Sequence, residues 1–276
     1  MRPGDLFAAH FLDHKAHGAP ARFAEQLGES GLVTLDGLAN RDAVLSFASR
    51  VMAVSPHRDS DPDGLTTIRD SPRYASLPGF AGLGSGQLDP HTERSSLPSP
   101  PRLMLLVCSQ PADRGGECLL TDGRRVHADL VHEGGGEAAD ALSRPRTAYF
   151  GAGDGHASQV LSSHRDGRVS IRLRFDALAR WSPIVQPHLP ALRAAALDHQ
   201  QSLRLEPGQG YLLDNQRWLH ARSAFVGDRT HWRALGDPRF NLRHGFAPVA
   251  GAPQSPAGSC ADHAVAGRKL SLNLMR

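Results

Sequence analysis

Lysine is almost missing from this chain: Lys15 and Lys269 stand alone among 31 basic residues, so arginine carries the positive charge. The pI of 9.0 accompanies a formal net charge of only +3. The arginines are interleaved with acids, as in Arg58-Asp59-Ser60-Asp61, leaving no basic stripe for a nucleic-acid backbone. Cysteine is equally scarce. Cys108, Cys118 and Cys260 neither pair evenly nor form C-x-x-C, which argues against a disulfide framework or a zinc knuckle. No run of about 18 apolar residues is available to span a membrane. At the start, Asp13, His14 and Lys15 interrupt Leu6, Phe7, Phe11 and Leu12, so no secretion signal is visible. The expectation is a soluble, cytoplasmic protein that binds neither nucleic acid nor membrane.

With 276 residues and 40% hydrophobic content, the chain can bury one sizeable core. Residues 1–30 read as two helical pieces broken at Gly18 and Pro20, and residues 31–38 as a strand. A helix capped by Asn40 follows, with Val44, Phe47 and Val51 on one face. Residues 55–90 are rich in Pro, Gly, Ser and Asp and are expected to loop over a site, with a short strand at 65–68. From Arg102 onward the signals are mainly β. Residues 168–176 alternate cleanly after the hairpin turn Arg165-Asp166-Gly167. A helix over 190–201 precedes strands at 202–205 and 211–213. The turn Gly151-Ala152-Gly153-Asp154-Gly155 lacks phosphate-loop spacing. Residues 249–276 form an Ala-, Gly-, Pro- and Ser-rich tail expected to be poorly ordered, leaving 1–248 as one domain. Many short strands and few long helices give a mainly β (α+β) fold class.

What is present is a candidate metal site. His91-Thr92-Glu93 places an imidazole and a carboxylate two residues apart, which on a strand puts both on one face. The distant His220 completes a set of two histidines and one carboxylate, a facial arrangement suited to non-haem Fe(II) with open positions. The cation Arg233 follows thirteen residues later, suited to a bidentate grip on a carboxylate. H-x-E alone is a weak signal in a chain with 15 histidines, and His132-Glu133 is read as a chance pairing. The surroundings give it weight: Leu103-Met104-Leu105-Leu106-Val107-Cys108, Gly115-Gly116-Glu117, and Leu213-Asp214-Asn215 leading to Leu219-His220.

On these motifs the chain resembles the taurine dioxygenase superfamily of Fe(II)/2-oxoglutarate enzymes from about Gly31 to Phe246. Its glutamate ligand is closer to the clavaminate synthase branch. The resemblance implies a double-stranded β-helix (jelly-roll) core with flanking helices. It makes His91, Glu93 and His220 the iron ligands and the catalytic centre, and Arg233 the residue holding the distal carboxylate of 2-oxoglutarate, with Arg229 as fallback. Where the family often has a threonine bonding that cosubstrate, this chain has Cys118. Thr121 or a water then substitutes, or cosubstrate affinity is reduced.

For a small polar substrate the candidates are Gln87, Arg94 and Ser95 around the H-T-E segment. If the polar face of residues 168–176 lines the cleft, Asp176 grips an ammonium and Arg172 or Arg174 a carboxylate; if that face is solvated, it says nothing about substrate. Arg222 is expected to pair with a carboxylate near the iron shell. The function implied is hydroxylation of an amino acid or derivative with Fe(II), 2-oxoglutarate and O₂, releasing succinate and CO₂. Glu93 argues against a halogenase, which needs a small residue there. A zinc hydrolase or a non-catalytic metal-binding barrel would use the same ligands, so both stay open.

Overall fold

The computed structural model describes residues 5–71 and 79–249. The apolar run after the proline loop becomes the strand Leu103–Gln110 in the middle of an antiparallel sheet. Its first six residues, Leu103 to Cys108, are apolar because both faces are buried there. Leu103, Leu105 and Val107 point into one core, while Met104, Leu106 and Cys108 point into another. Its neighbours are Gly210–Asp214 and Thr230–Pro238, flanked by Leu32–Leu35 and Met52–Val54; Thr66–Arg69 also pairs with Thr230–Pro238.

A second antiparallel sheet has the order Gln200–Leu203, Cys118–Asp122, Trp218–Arg222, Leu88–His91. Cys118, Leu120, Trp218 and Leu203 from this sheet meet Met104, Leu106, Tyr211 and Leu213 from the first, so one core lies between the two sheets. Helices cover the outer faces. Ala19–Glu29 and Arg41–Val51 bury Phe23, Leu27, Val44 and Phe47 against the first sheet. Asn40 caps the latter helix as expected, accepting from the Ala43 N–H at 2.9 Å.

Two helices interrupt the stretch from Arg102 onward, whose signals read as mainly β. Asp122 ends a strand and caps Gly123–His132, its carboxylate accepting from the Arg124 N–H at 3.0 Å, and Glu137–Ser143 follows. Val126, Leu130 and Val131 recur at helical spacing, but Gly123 at the start and Gly134-Gly135-Gly136 after the end obscure that period in the sequence. The alternation over 168–176 yields only the short strand Val169–Ile171, paired with Leu161–Ser163 around the expected hairpin turn. The chain then leaves the ladder. Leu173 exchanges hydrogen bonds with Thr92, and Arg172 donates to the carbonyls of Leu97 and Pro98 at 2.9 and 3.0 Å, tying down the proline loop. The tail beyond 249 lies outside the described residues.

Buried ion pairs fix the strand ends. Arg102 meets Asp214 at 2.6 Å with side-chain exposures of 6% and 1%, and Arg217 meets Asp122 at 2.7 Å. Asp214→Ala leaves the Arg102 guanidinium buried without its counter-charge, which should cost about 3–5 kcal/mol in urea unfolding. A loss below about 1 kcal/mol would show that the carbonyls of Leu242 and Arg243 suffice for Arg102.

Candidate metal centre

His91 ends the strand Leu88–His91 and His220 lies in Trp218–Arg222; the two are directly paired across the ladder. Their rings sit 4.1 Å apart between centroids. Glu93 is the second residue past the strand end, and donor atoms of all three residues lie within 4.8 Å of one another. The Glu93 backbone is held by Asn215, whose amide accepts from the Glu93 N–H at 2.7 Å and donates to the Glu93 carbonyl at 3.0 Å and the Pro101 carbonyl at 2.9 Å. Immediately after Glu93, Arg94 takes a left-handed φ of 52°, turning the chain away from the site.

This donor set fits a divalent transition metal. The His91 Nδ1–H bonds the Asp89 carbonyl at 2.8 Å, which directs the Nε2 lone pair inward. His220 Nε2 lies 3.8 Å from the Glu93 carboxylate, and the buried Nδ1 of that ring has no protein partner among the described residues. Burial pushes both imidazoles below their usual value, His220 furthest, so both are neutral ligands at neutral pH. For Glu93, burial opposes ionisation, but Arg233, followed by His220, His91 and His57, outweighs it and holds the carboxyl at about 2. Arg233 reaches Glu93 directly, Nη1 to Oε2 at 2.6 Å.

Arg229 occupies a different place. It is 4% exposed, its Nε donates to the Gly116 carbonyl at 3.1 Å, and its Nη2 lies 3.8 Å from the Cys118 sulfur. The Gly-Gly-Glu motif makes room for it. Gly116 has φ 75°, and a Cβ there would press on the Arg229 side chain at 3.0 Å. No carboxylate lies within ion-pair distance of Arg229 among the described residues. Arg222 is likewise buried, and the expected carboxylate partner is a correction: it donates instead to the carbonyls of Gly82, Gly84 and Gly86, fixing the loop that enters the His91 strand.

Thr121 is a second correction. It sits on the opposite face of its strand from Cys118 and spends its hydroxyl on the Ala196 carbonyl at 2.9 Å, so it cannot stand in for a donor inside the site. Arg174 and Asp176 pair with each other, at 2.7 Å through Nε, and both are electrostatically felt by His91. Ser95 is buried, Gln87 is exposed, and the Arg94 guanidinium bonds the Pro56 carbonyl at 3.3 Å. Sequence reasoning missed His57, which faces Arg233 and Glu93 and is pushed to about 4 by burial and then by Arg233. A lone histidine in a polar loop carries no local signal of that placement. Tyr211 was also missed, being indistinguishable from a core aromatic.

The model for the taurine catabolism dioxygenase TauD, TfdA family matches residues 9–235. This chain belongs to that dioxygenase family. Among solved structures, asparagine oxygenase in complex with Fe(II), 2S,3S-3-hydroxyasparagine and succinate is similar at 21% identity. The match covers 79% of this chain and 78% of that one with a TM-score of 0.64. The non-heme iron oxygenase OrfP with Fe, succinate and (3S)-hydroxy-L-Arg matches at 15% identity over 80% and 81%, TM-score 0.63. OrfP with Fe and alpha-ketoglutaric acid matches at 16% over 75% and 74%, TM-score 0.55. These likenesses carry the mixed α/β fold with antiparallel sheets. Among the described residues of this family member, no helix is long and apolar enough to cross a membrane.

A pH dependence follows from the buried imidazoles. Their folded values lie below the usual 6.5, so below that pH the unfolded chain binds more protons than the folded one. The metal-free protein should therefore lose thermal stability as the pH falls from 6.5 toward about 4, the value for His57. His220→Asn should flatten the slope of midpoint against pH; an unchanged slope would mean that the His220 ring titrates normally.

Proposed function

We propose that this protein is an Fe(II)/2-oxoglutarate-dependent oxygenase that hydroxylates a small polar metabolite, an amino acid or derivative. The observations that carry this are the three-ligand cluster of His91, Glu93 and His220 and the buried Arg229, which has no carboxylate partner among the described residues. A buried guanidinium without a counter-charge is costly and calls for an anion. Such a cation at a distance from a metal cluster suits a dicarboxylate that reaches both. We read the two facing sheets as the double-stranded β-helix of the family, and residues 1–248 as one catalytic unit.

In this reading His91, Glu93 and His220 hold the iron, and Asn215 fixes the carboxylate ligand from behind. Iron with 2-oxoglutarate and O₂ supplies the oxidising power, with succinate and CO₂ released. The protein supplies ligand geometry, orientation and a dry pocket. The geometry favours Arg229 over Arg233 for the far carboxylate of the cosubstrate, because Arg233 is engaged at Glu93 and Arg229 is the cation beside Cys118. Arg233 then stands next to the metal, where a substrate carboxylate can take one of its free donors. The Arg174–Asp176 pair near His91 offers charges of both signs to a zwitterion. The neighbours whose structures hold hydroxylated asparagine and arginine support an amino-acid substrate class. A hydrolytic zinc site is not favoured, since it leaves the second cation without a task.

The test separates the two arginines. Removing one partner of a buried charge pair costs on the order of 2–5 kcal/mol. Arg229→Ala should thus weaken 2-oxoglutarate binding roughly thirtyfold or more, with iron affinity unchanged. Arg233→Ala should instead impair amino-acid-stimulated succinate release at saturating 2-oxoglutarate. The reverse pattern would return the cosubstrate role to Arg233.

A further inference from the structure

Tyr211 lies on the Gly210–Asp214 strand, is 1% exposed, and packs in the core between the two sheets. A phenol buried that deeply needs a hydrogen-bond partner. Its polar neighbour in that core is the thiol of Cys118 on the facing sheet, and a thiol is a weak acceptor. Cys118 is in turn the neighbour of Arg229, whose Nη2 lies 3.8 Å from its sulfur. Phenol, thiol and guanidinium therefore form one cluster on the inner face, with donors in excess and a strong acceptor lacking among the described residues.

We infer that Tyr211 donates a hydrogen bond to the far carboxylate of 2-oxoglutarate beside Arg229, exchanging the Cys118 thiol for an anionic acceptor. This rests on the cosubstrate reading above. The exchange is favourable because a hydrogen bond to a carboxylate is about twice as strong as one between neutral groups. Burial pushes the phenol well above its usual value, so it stays a donor across the working pH range. The inference also explains why a poor donor is tolerated at position 118: the hydroxyl comes from the opposite sheet, and the thiol keeps it in place until the cosubstrate arrives.

Tyr211→Phe removes the hydroxyl and keeps the ring. Anaerobic calorimetry on the Fe(II)-loaded protein should show 2-oxoglutarate binding weakened roughly tenfold to a hundredfold, as for a lost bond to a charged group. Binding of 2-oxovalerate, which has the same chain length but lacks the far carboxylate, should be unchanged. The thermal midpoint without ligand should also hold, since only a weak thiol contact is lost. Equal weakening of both ligands, or unchanged 2-oxoglutarate affinity, would overturn the assignment. Cys118→Ala gives an independent arm: it should leave 2-oxoglutarate binding intact or tighter. A loss there as large as that of Tyr211→Phe would make the thiol the donor and Tyr211 a packing residue. If the wild-type protein with Fe(II) binds no 2-oxoglutarate, the cosubstrate reading itself falls, and Tyr211 with it.

Discussion

The grip of one amide on one peptide holds this site together. Asn215 makes three buried hydrogen bonds, two to the backbone of Glu93 and one to the Pro101 carbonyl. Each is worth about 1 kcal/mol net, but the geometric effect is larger than the energy. Glu93 lies just past the end of its strand, where no ladder would otherwise fix it. Asn215 sits in the turn between the strand Gly210–Asp214 of one sheet and Trp218–Arg222 of the other. Through it, the carboxylate is referenced to both sheets, while the His91–His220 pairing references the two imidazoles to each other. Neighbouring Asp214, paired with buried Arg102, anchors the same turn. A three-ligand site needs such second contacts, because small displacements of a ligand change metal geometry.

Charge determines what the rest of the compartment can accept. Arg222, Arg229 and Arg233 are all largely buried, and among the described residues only Arg233 of the three pairs with a carboxylate, Glu93. The neighbouring imidazoles are neutral by burial and add no positive charge near pH 7. On the proposed reading a divalent metal would add more positive charge, and anions entering from solvent would balance it. That constraint favours a dianionic cosubstrate and a substrate bearing a carboxylate. It also gives the near-absence of lysine a use: arginine keeps its charge when buried and presents several donors in a fixed plane, as Arg222 does to three carbonyls.

Much of this was readable from residue order. The H-x-E pair and the second histidine are local patterns: His91 and His220 land in paired strands, while Glu93 falls past the strand end instead of on the strand. Asn40 as a cap and the Leu103–Gln110 strand were visible for the same reason, since capping and continuous burial depend on nearby residues. The arginines were harder. Arg229 and Arg233 are four residues apart, similar in context, and differ only in what the facing sheet presents to them: Cys118 and Gly116 for one, Glu93 for the other. Thr121 failed because it stands three residues from Cys118, and strand parity sends it to the helix side of the sheet. The helix Gly123–His132 was hidden by glycines at its borders. His57 and Tyr211 had no sequence signal, as their roles come from contacts made across the fold.

The central claim is that one compartment holds both an iron and 2-oxoglutarate, and its most direct measurement is an anaerobic spectroscopic titration. Fe(II) is added to the protein first, then 2-oxoglutarate, while the visible spectrum is followed. The account predicts a weak charge-transfer band that appears only when both are present, is absent when Zn(II) replaces Fe(II), and is lost in His220→Ala. A protein that takes up Fe(II) but shows no band with 2-oxoglutarate would contradict it.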